Sequence, residues 1–533
     1  MTGEPDLIGL LYRADWTRLS LAAELSDGSS LVVAPGRRYR RQDGEAAWGC
    51  DGVHPWEPVP AEMAGHTAWI TKIEAPLGAL LCPAWMLVGS RLEVLGPVQA
   101  CGRDALQVVM TRRPSIRDWQ FRSFRMRGDR AEVIVDAELG ILLRLAWLTD
   151  DEHLIDDPDD DDDDDDAEPA VTEFVTLDLS PTIDPAQFVP PPGSQIGKGL
   201  GESLSGGGAA GWALRTAGGL AAGGLGALIK YTPHRDGARA TGREDAEAAF
   251  PPADPAPELS PDGLPSGPPV SVEVLHLLQA SGTGEFAATL HEWLDASALM
   301  SQVPAGAQRA GFGGLGLLVG AITERPAVGH SVSALRVGGP RQYQIDHAGE
   351  PQDGPKTIIC DGEHRWQVYG DKVTVGPAGS APPDMADLAD ASWLLECRLS
   401  GGEPVSVGGR PAFRVSVVRG DAAWSPALLW FSAAVVVVDA ELGILLRLTA
   451  YAGGNPVRRY ELRDVTADAG EFRADLPPGL PTVEEEDPVR RFRDGHPPPS
   501  INLVQATASA VGRQVAKEAS KAARNLLRRL NGR

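Results

Sequence analysis

The eleven residues VDAELGILLRL occur twice without a single difference, at Val135–Leu145 and at Val438–Leu448. Asp136 and Glu138 end one apolar run and Gly140 opens the next, so the stretch predicts a strand, a tight turn and a second strand. Glycine reaches the left-handed backbone geometry that such turns need. Asp439, Glu441 and Gly443 repeat the pattern. A repeated hairpin implies a repeated domain.

Aligning the chain on this hairpin brings other pieces into register. RRYRRQDGEAAWGCDGVHPW (37–56) faces RQYQIDHAGEPQDGPKTIICDGEHRW (341–366), with a shared Cys-Asp-Gly-x-His-x-Trp. PAWMLVGSRLEVLGPVQACGRDALQVVM (83–110) faces ASWLLECRLSGGEPVSVGGRPAFRVSVV (391–418), and EFVTLDLSPTIDPAQFVPPPG (173–193) faces RYELRDVTADAGEFRADLPPG (459–479). Domain one is expected at 1–193 and domain two at 270–482, with a linker at 194–269 and a tail at 483–533. Most aligned pieces predict short strands between turn signals. Steps of three and four predict helices over Val272–Leu278 and Phe286–Leu299. Long antiparallel meanders with a few helices on one side make an α+β fold. A strand such as AVVVVDA, apolar at every position, implies a face covered by helices or curled around a cavity.

The 533 residues exceed what one core accommodates. The net charge of −24 is concentrated, since fourteen acidic residues lie between Asp150 and Glu168, and the rest of the chain carries −10. This balance gives no basic face for nucleic acid. The aspartate run 159–166 cannot pack against itself, and 150–168 is expected to be a solvated, disordered insertion in domain one. The five cysteines lack any CxxC spacing, which favours a reduced compartment without structural disulfides. The N-terminus has no signal-peptide pattern and no segment reaches a membrane-span length, so the expected location is cytoplasmic, peripheral at the inner face of the membrane.

Asp361-Gly362-x-x-x-Trp366-x-x-Tyr369 resembles the DG…W.Y hairpin of the LolA/RseB group of lipoprotein carriers and sigma-factor regulators. APGRRYR (34–40) is similar to that group's PG-aromatic-Arg strand, and VVVVDAELGILLRLTAYAGGNPVRRYELRDV…FRADLPPGLP resembles its C-terminal hairpin and F…PPG ending. The resemblance implies two tandem half-open antiparallel β-barrels with helices closing one face over a hydrophobic cavity, and no catalysis. Arg40, after Tyr39, matches the family arginine; the second copy has Gln344 after Tyr343. The candidate ligand-binding residues are Arg40, Trp56 and Trp85 in the first copy and Trp366, Tyr369, Trp393 and Trp430 in the second. The implied partner is an apolar small molecule, such as a lipid or acyl chain, or a lipoprotein; the alternative is a regulatory protein-interaction scaffold without a small-molecule ligand. No oligomeric state follows.

No spacing specifies an enzyme or a cofactor. The pairs Cys50/His54 and Cys360/His364 each need two further ligands for a tetrahedral metal site. If the turn residues are Asp51 and Gly52, Cys50 faces Val53 and His54 faces Gly49, so the two side chains lie on opposite faces. GFGGLG (311–316) lacks the strand that a dinucleotide loop follows, and HEWLD (291–295) has Asp295 where a zinc motif keeps histidine. Within the linker, GKGLGESLSGGGAAGWALRTAGGLAAGGLGALIK is small-residue-rich and FPPADPAPELSPDGLPSGPP is a proline-rich extended stretch. In the tail, Val504, Ala508, Val511, Val515, Ala522, Leu526 and Leu530 form one stripe, and Arg513, Lys517, Lys521, Arg524 and Arg528 another. Residues 500–533 carry seven basic residues and one acidic residue, as a basic amphipathic helix on an anionic membrane surface would.

Overall fold

The computed structural model describes residues 6–44, 46–52, 54–58, 75–113, 130–148, 171–191, 194–196, 250, 252–260, 265–282, 284–295, 328–339, 342–348, 356–370, 372–377, 383–418, 433–467, 472 and 482–484. The acidic run, the small-residue half of the linker, GFGGLG, Trp430 and the basic tail lie outside them. The described residues form two compact units, one within 6–196 and the other within 250–484.

Unit one contains helices α1 (Leu7–Arg13) and α2 (Ala75–Leu81) and strands β1 (Leu21–Leu25), β2 (Ser30–Ala34), β3 (Arg38–Asp43), β4 (Ala46–Asp51), β5 (Pro55–Pro58), β6 (Ser90–Ala100), β7 (Arg103–Arg112), β8 (Arg130–Asp136), β9 (Leu142–Leu148), β10 (Val171–Asp178) and β11 (Ser194–Ile196). Unit two contains helices α3 (Val272–Ala280) and α4 (Pro383–Ala389) and strands β12 (Phe286–Asp295), β13 (Val328–Gly339), β14 (Gln342–His347), β15 (Thr357–Asp361), β16 (His364–Tyr369), β17 (Lys372–Pro377), β18 (Arg398–Val407), β19 (Arg410–Val418), β20 (Ala433–Asp439), β21 (Leu445–Ala452), β22 (Asn455–Thr466) and β23 (Thr482–Glu484).

The order across sheet one is β11-β5-β4-β3-β2-β1-β10-β9-β8-β7-β6, and across sheet two β18-β19-β20-β21-β22-β12-β13-β14-β15-β16-β17-β23. Ten strands of each sheet follow one another in the same order, so β1–β5 correspond to β12–β16 and β6–β10 to β18–β22. Pairing is antiparallel throughout except between β17 and β23. Among the described strands neither sheet closes on itself.

One residue range reads differently in the structure. The expected helix over Phe286–Leu299 is strand β12, running to Asp295 between β22 and β13. Phe286, Ala288, Leu290 and Leu294 are buried along one side, so alternation governs the segment, and the steps of three and four are incidental. The helix expected over Val272–Leu278 is α3, which begins where the Ser271 hydroxyl accepts the Val274 amide at 3.4 Å.

Helices pack on the same face of both sheets. Helix α1 contacts the 3-10 turn Pro83–Leu87 and α2 contacts β9; correspondingly, α3 contacts the 3-10 turn Ala391–Glu396 and α4 contacts β21. Under them lie Leu143, Leu145 and Trp147 in unit one and Leu446, Leu448 and Ala450 in unit two, all buried. Part of the expected linker belongs to unit two: Phe250 and Asp254 are buried against sheet two, and Pro269 bridges Ser400 on β18.

Candidate functional site

The repeated eleven residues build the same clasp in both units. Asp136 accepts the amides of Glu138 and Leu139 at 2.9 and 2.8 Å through one carboxyl oxygen, closing the turn between β8 and β9. Arg103, at the start of β7, grips Asp136 through two nitrogens and reaches Glu138 at 3.0 Å. In unit two Arg410 holds Asp439 in the same way and meets Glu441 at 2.8 Å. Burial alone would raise each buried aspartate; the guanidinium and the turn amides outweigh it and hold both carboxyls below their ordinary range. Gly140 and Gly443 have φ of 72° and 69°. A Cβ there would lie 2.2 Å from the Leu10 carbonyl of α1 or 2.9 Å from the Leu277 carbonyl of α3. The clasp thus places each hairpin directly against the first helix of its unit.

The candidate ligand residues fall into three settings. Trp85 and Trp393 stand in the paired 3-10 turns, fully buried, and donate their ring N–H to the carbonyls of Ala79 at 3.2 Å and Asp387 at 3.0 Å. Trp85 also meets Trp147 of β9 with ring centres 6.0 Å apart, so it joins the helical layer to the sheet. Trp56 on β5 is buried over Gly49, where a Cβ would lie 2.4 Å from its ring, which explains a glycine inside β4. Arg40 on β3 is half-buried and hydrogen-bonded to the Gln187 carbonyl at 3.3 Å and to Gln42 at 3.0 Å. The preceding Tyr39 and its counterpart Tyr343 are core residues. Trp366 and Tyr369 on β16 are half-buried; Trp366 lies 5.6 Å from the His364 ring and Tyr369 donates to Gln367 at 2.6 Å. The described structure brings Trp85 and Trp393 to the helix-covered face of their respective sheets.

The pairs Cys50/His54 and Cys360/His364 flank the hairpins β4–β5 and β15–β16. The register differs by two residues from the sequence expectation: Cys50 pairs with Pro55, and Asp51 bonds back to His54. Cys50 is buried, its thiol pushed up to about 11 chiefly by desolvation, while His54 is half-exposed beside Asp51 at 3.4 Å. The cysteine and histidine therefore lie on opposite faces under either register. No three His, Cys, Asp or Glu side chains converge as a metal site among the described residues. All five cysteines are free thiols. No helix among the described residues is long and apolar enough to cross a membrane.

Two arginines of the clasp, Arg103 and Arg410, were not singled out by the motifs. Their signal is present: a Gly-Arg pair at the start of the strand before the repeated hairpin, in both copies.

No protein-family model matches the chain, and no curated protein matches it in sequence. Solved structures to which it is similar include LprF from Mycobacterium bovis (11% identity, 40% of this chain and 97% of that chain, TM-score 0.23). They also include a LolA superfamily protein from Nitrosomonas europaea (10% identity, 38% and 94%, TM-score 0.18). In the Pseudomonas aeruginosa MucA/MucB complex, the chain spans 66% of the chain it matches (14% identity, 39% of this chain, TM-score 0.20). At these identities and TM-scores the weight rests on the chain's own features: repeated motifs that resemble the LolA/RseB group, and two long antiparallel sheets each with helices on one face.

Proposed function

We propose that the protein is a non-enzymatic binding protein of two LolA-like half-open barrels, each holding an apolar ligand, a lipid or acyl chain, against the helix-covered face of its sheet. The observation that carries this reading is the largely apolar helix-covered face of a sheet that stays open among the described strands, present in both units. Burial of ligand methylenes would supply the affinity, at about 0.8 kcal/mol each. Arg40, Trp56 and Trp85, and Trp366, Tyr369, Trp393 and Trp430, are the residues proposed to line or border the two sites. The test is mass spectrometry of an organic extract of protein purified natively without detergent. A near-stoichiometric lipid is the expected result; a clean extract would refute this reading.

The second reading is a protein-interaction scaffold, and the chain segment docked on the opposite face of sheet two favours it. Under either reading the basic tail 500–533 would hold the protein at the inner face of the membrane. Deleting the tail should then move the protein to the soluble fraction, and unchanged fractionation would remove the anchor.

A further inference from the structure

The face of sheet two turned away from its helices is crossed by a segment whose composition reads as linker. Phe250 is buried against β12, β13 and β22. Its ring meets His330 and His291 edge-on, with centres 5.3 and 6.3 Å away, and the Arg459 and Arg463 guanidinium groups lie 4.8 and 5.9 Å from its centre. Arg459 also lies 5.8 Å from the ring of Trp293, which is buried on β12. Four residues on, the Asp254 carboxylate is held by Arg414 of β19 at 3.0 Å and Arg447 of β21 at 3.6 Å. Both arginines pair across the ladder with Val437 of β20, so Asp254 sits over that strand. The Tyr451 hydroxyl donates to the Asp254 carbonyl.

Three features mark this as a ligand in its site. First, the segment Phe250-Pro-Pro-Ala-Asp254-Pro-Ala-Pro is proline-rich. Such sequences adopt the extended polyproline form, in which four residues span about 12 Å with no internal hydrogen bonds, and dock through side chains on aromatic-lined surfaces. Second, the face turns Arg414, Arg447, Arg459 and Arg463 towards the segment, and two of these guanidinium groups meet its one carboxylate in the stretch 250–257. Third, every anchor but Arg447 is particular to the second copy. Arg447 pairs with Glu461 in sheet two as Arg144 pairs with Glu173 in sheet one. Around that shared pair, Arg414, Tyr451, Arg459 and Arg463 have Gln107, Leu148, Val171 and Val175 as counterparts.

We propose that the outer face of sheet two is a recognition site for an extended, proline-rich protein segment bearing an aromatic residue four places before a carboxylate, and that the chain's own Phe250–Asp254 fills it in cis. The site lies on the opposite face from the apolar-ligand site and stands whether or not that site binds lipid. The strap is tethered to sheet two through Pro269, so a competitor works against an effective concentration on the order of millimolar.

The test uses the full chain and a fluorescein-labelled synthetic peptide of residues 247–258. The double variant Phe250→Ala/Asp254→Ala, with its near-UV spectrum retained, should bind the peptide saturably and at least tenfold more tightly than the wild type. Adding Arg414→Gln should weaken that binding at least tenfold. Equal binding, or none, to wild type and double variant would overturn the proposal. Hydrogen exchange on the wild-type chain decides the matter even where the variant does not fold. Relative to intrinsic rates, amides of 253–260 should be protected and yet exchange at least tenfold faster than those of β21 and β22, because a docked ligand opens without the sheet; no protection would mean no docked strap, equal protection would make the strap part of the core, and either result refutes the proposal.

Discussion

Strands β8 and β20 occupy the same place in the two sheets and precede the same eleven-residue hairpin, yet they are buried differently. In β8 burial alternates, with Glu132 and Ile134 on the less buried side. In β20 every residue is buried. The counterparts of Glu132 and Ile134 are Val435 and Val437, and Val437 lies between the two arginines that hold Asp254. The same contrast runs along β10 and β22: Val171 and Val175 are 37% and 57% exposed, whereas Arg459 is 5% exposed. Among the described residues, one sheet has its outer face covered by a chain segment and the other does not. The two outer faces diverge, while the clasp and the packing of helices on the other face are kept.

The largest effects should come from breaking what the two units share. Removing Asp439 or Asp136 strands a partly buried arginine and the turn amides, so Asp439→Ala and Asp136→Ala should each cost about 3 kcal/mol in their own unit. Urea unfolding followed separately in the two units, by exchange-mass spectrometry, would check this. Both carboxyls titrate below their ordinary range, so this stability is present at neutral pH and lost only as pH falls below about 4 through the folded-state values. A substantially smaller cost in one unit would break the equivalence of the clasps. Next in size, Gly140→Ala should cost more than Gly443→Ala, on the order of 2 and 1 kcal/mol. Both distort a left-handed residue, but the Leu10 carbonyl lies closer than the Leu277 carbonyl and backbone cannot step aside.

The repeated hairpin, the antiparallel strands and the turns were legible in the sequence because each depends on local chemistry: a glycine at positive φ, an aspartate that accepts turn amides, alternating burial. The AVVVVDA run announced helical cover or a cavity on one face, and not a second cover on the other. The identity of the cover was not legible. Proline and alanine read as linker whether or not the segment docks, and only the tertiary arrangement of Arg414, Arg447 and Tyr451 gives Asp254 a site. Strand β12 was misread because FAATLHEWLD satisfies helical steps as well as alternation; its neighbours in the sheet decide between them. The candidate aromatics illustrate the same boundary. Trp85 and Trp393 share a motif that marks a repeated position, but nothing in the spacing shows that both spend their ring N–H on the main chain.

The strap offers a smaller and more selective test. Tyr451→Phe removes the hydroxyl that bonds the Asp254 carbonyl and leaves the ring in place, so unit two should lose about 1 kcal/mol. The reciprocal change at the counterpart, Leu148→Tyr, gains no partner from a strap and should leave unit one within about 0.5 kcal/mol of the wild type. A cost in unit one equal to that in unit two would mean that the two outer faces are less different than their sequences are.

The smallest expected effect is a pH dependence found in one unit only. His291 and His330 stack beneath Phe250 with ring centres 5.5 Å apart and nitrogens 3.3 Å apart. Desolvation and the Arg463 charge push both imidazoles below 6.5; the neighbouring His330 pushes His291 further down, and Glu461 and Asp464 oppose this in part. A base whose folded value is depressed is penalised when it protonates. The pair therefore costs nothing well above pH 6.5, and unit two loses stability as pH falls through 6.5 towards the depressed values. Acidification adds positive charge next to Arg459 and Arg463, where Phe250 is seated, so exchange in 253–260, taken relative to the intrinsic amide rate at each pH, should quicken between pH 7.5 and 5.5. His291→Asn/His330→Asn should flatten that dependence without altering the response of unit one. An undiminished response in the double variant would assign the pH sensitivity to the carboxylates of the face and leave the histidines as packing beneath the strap.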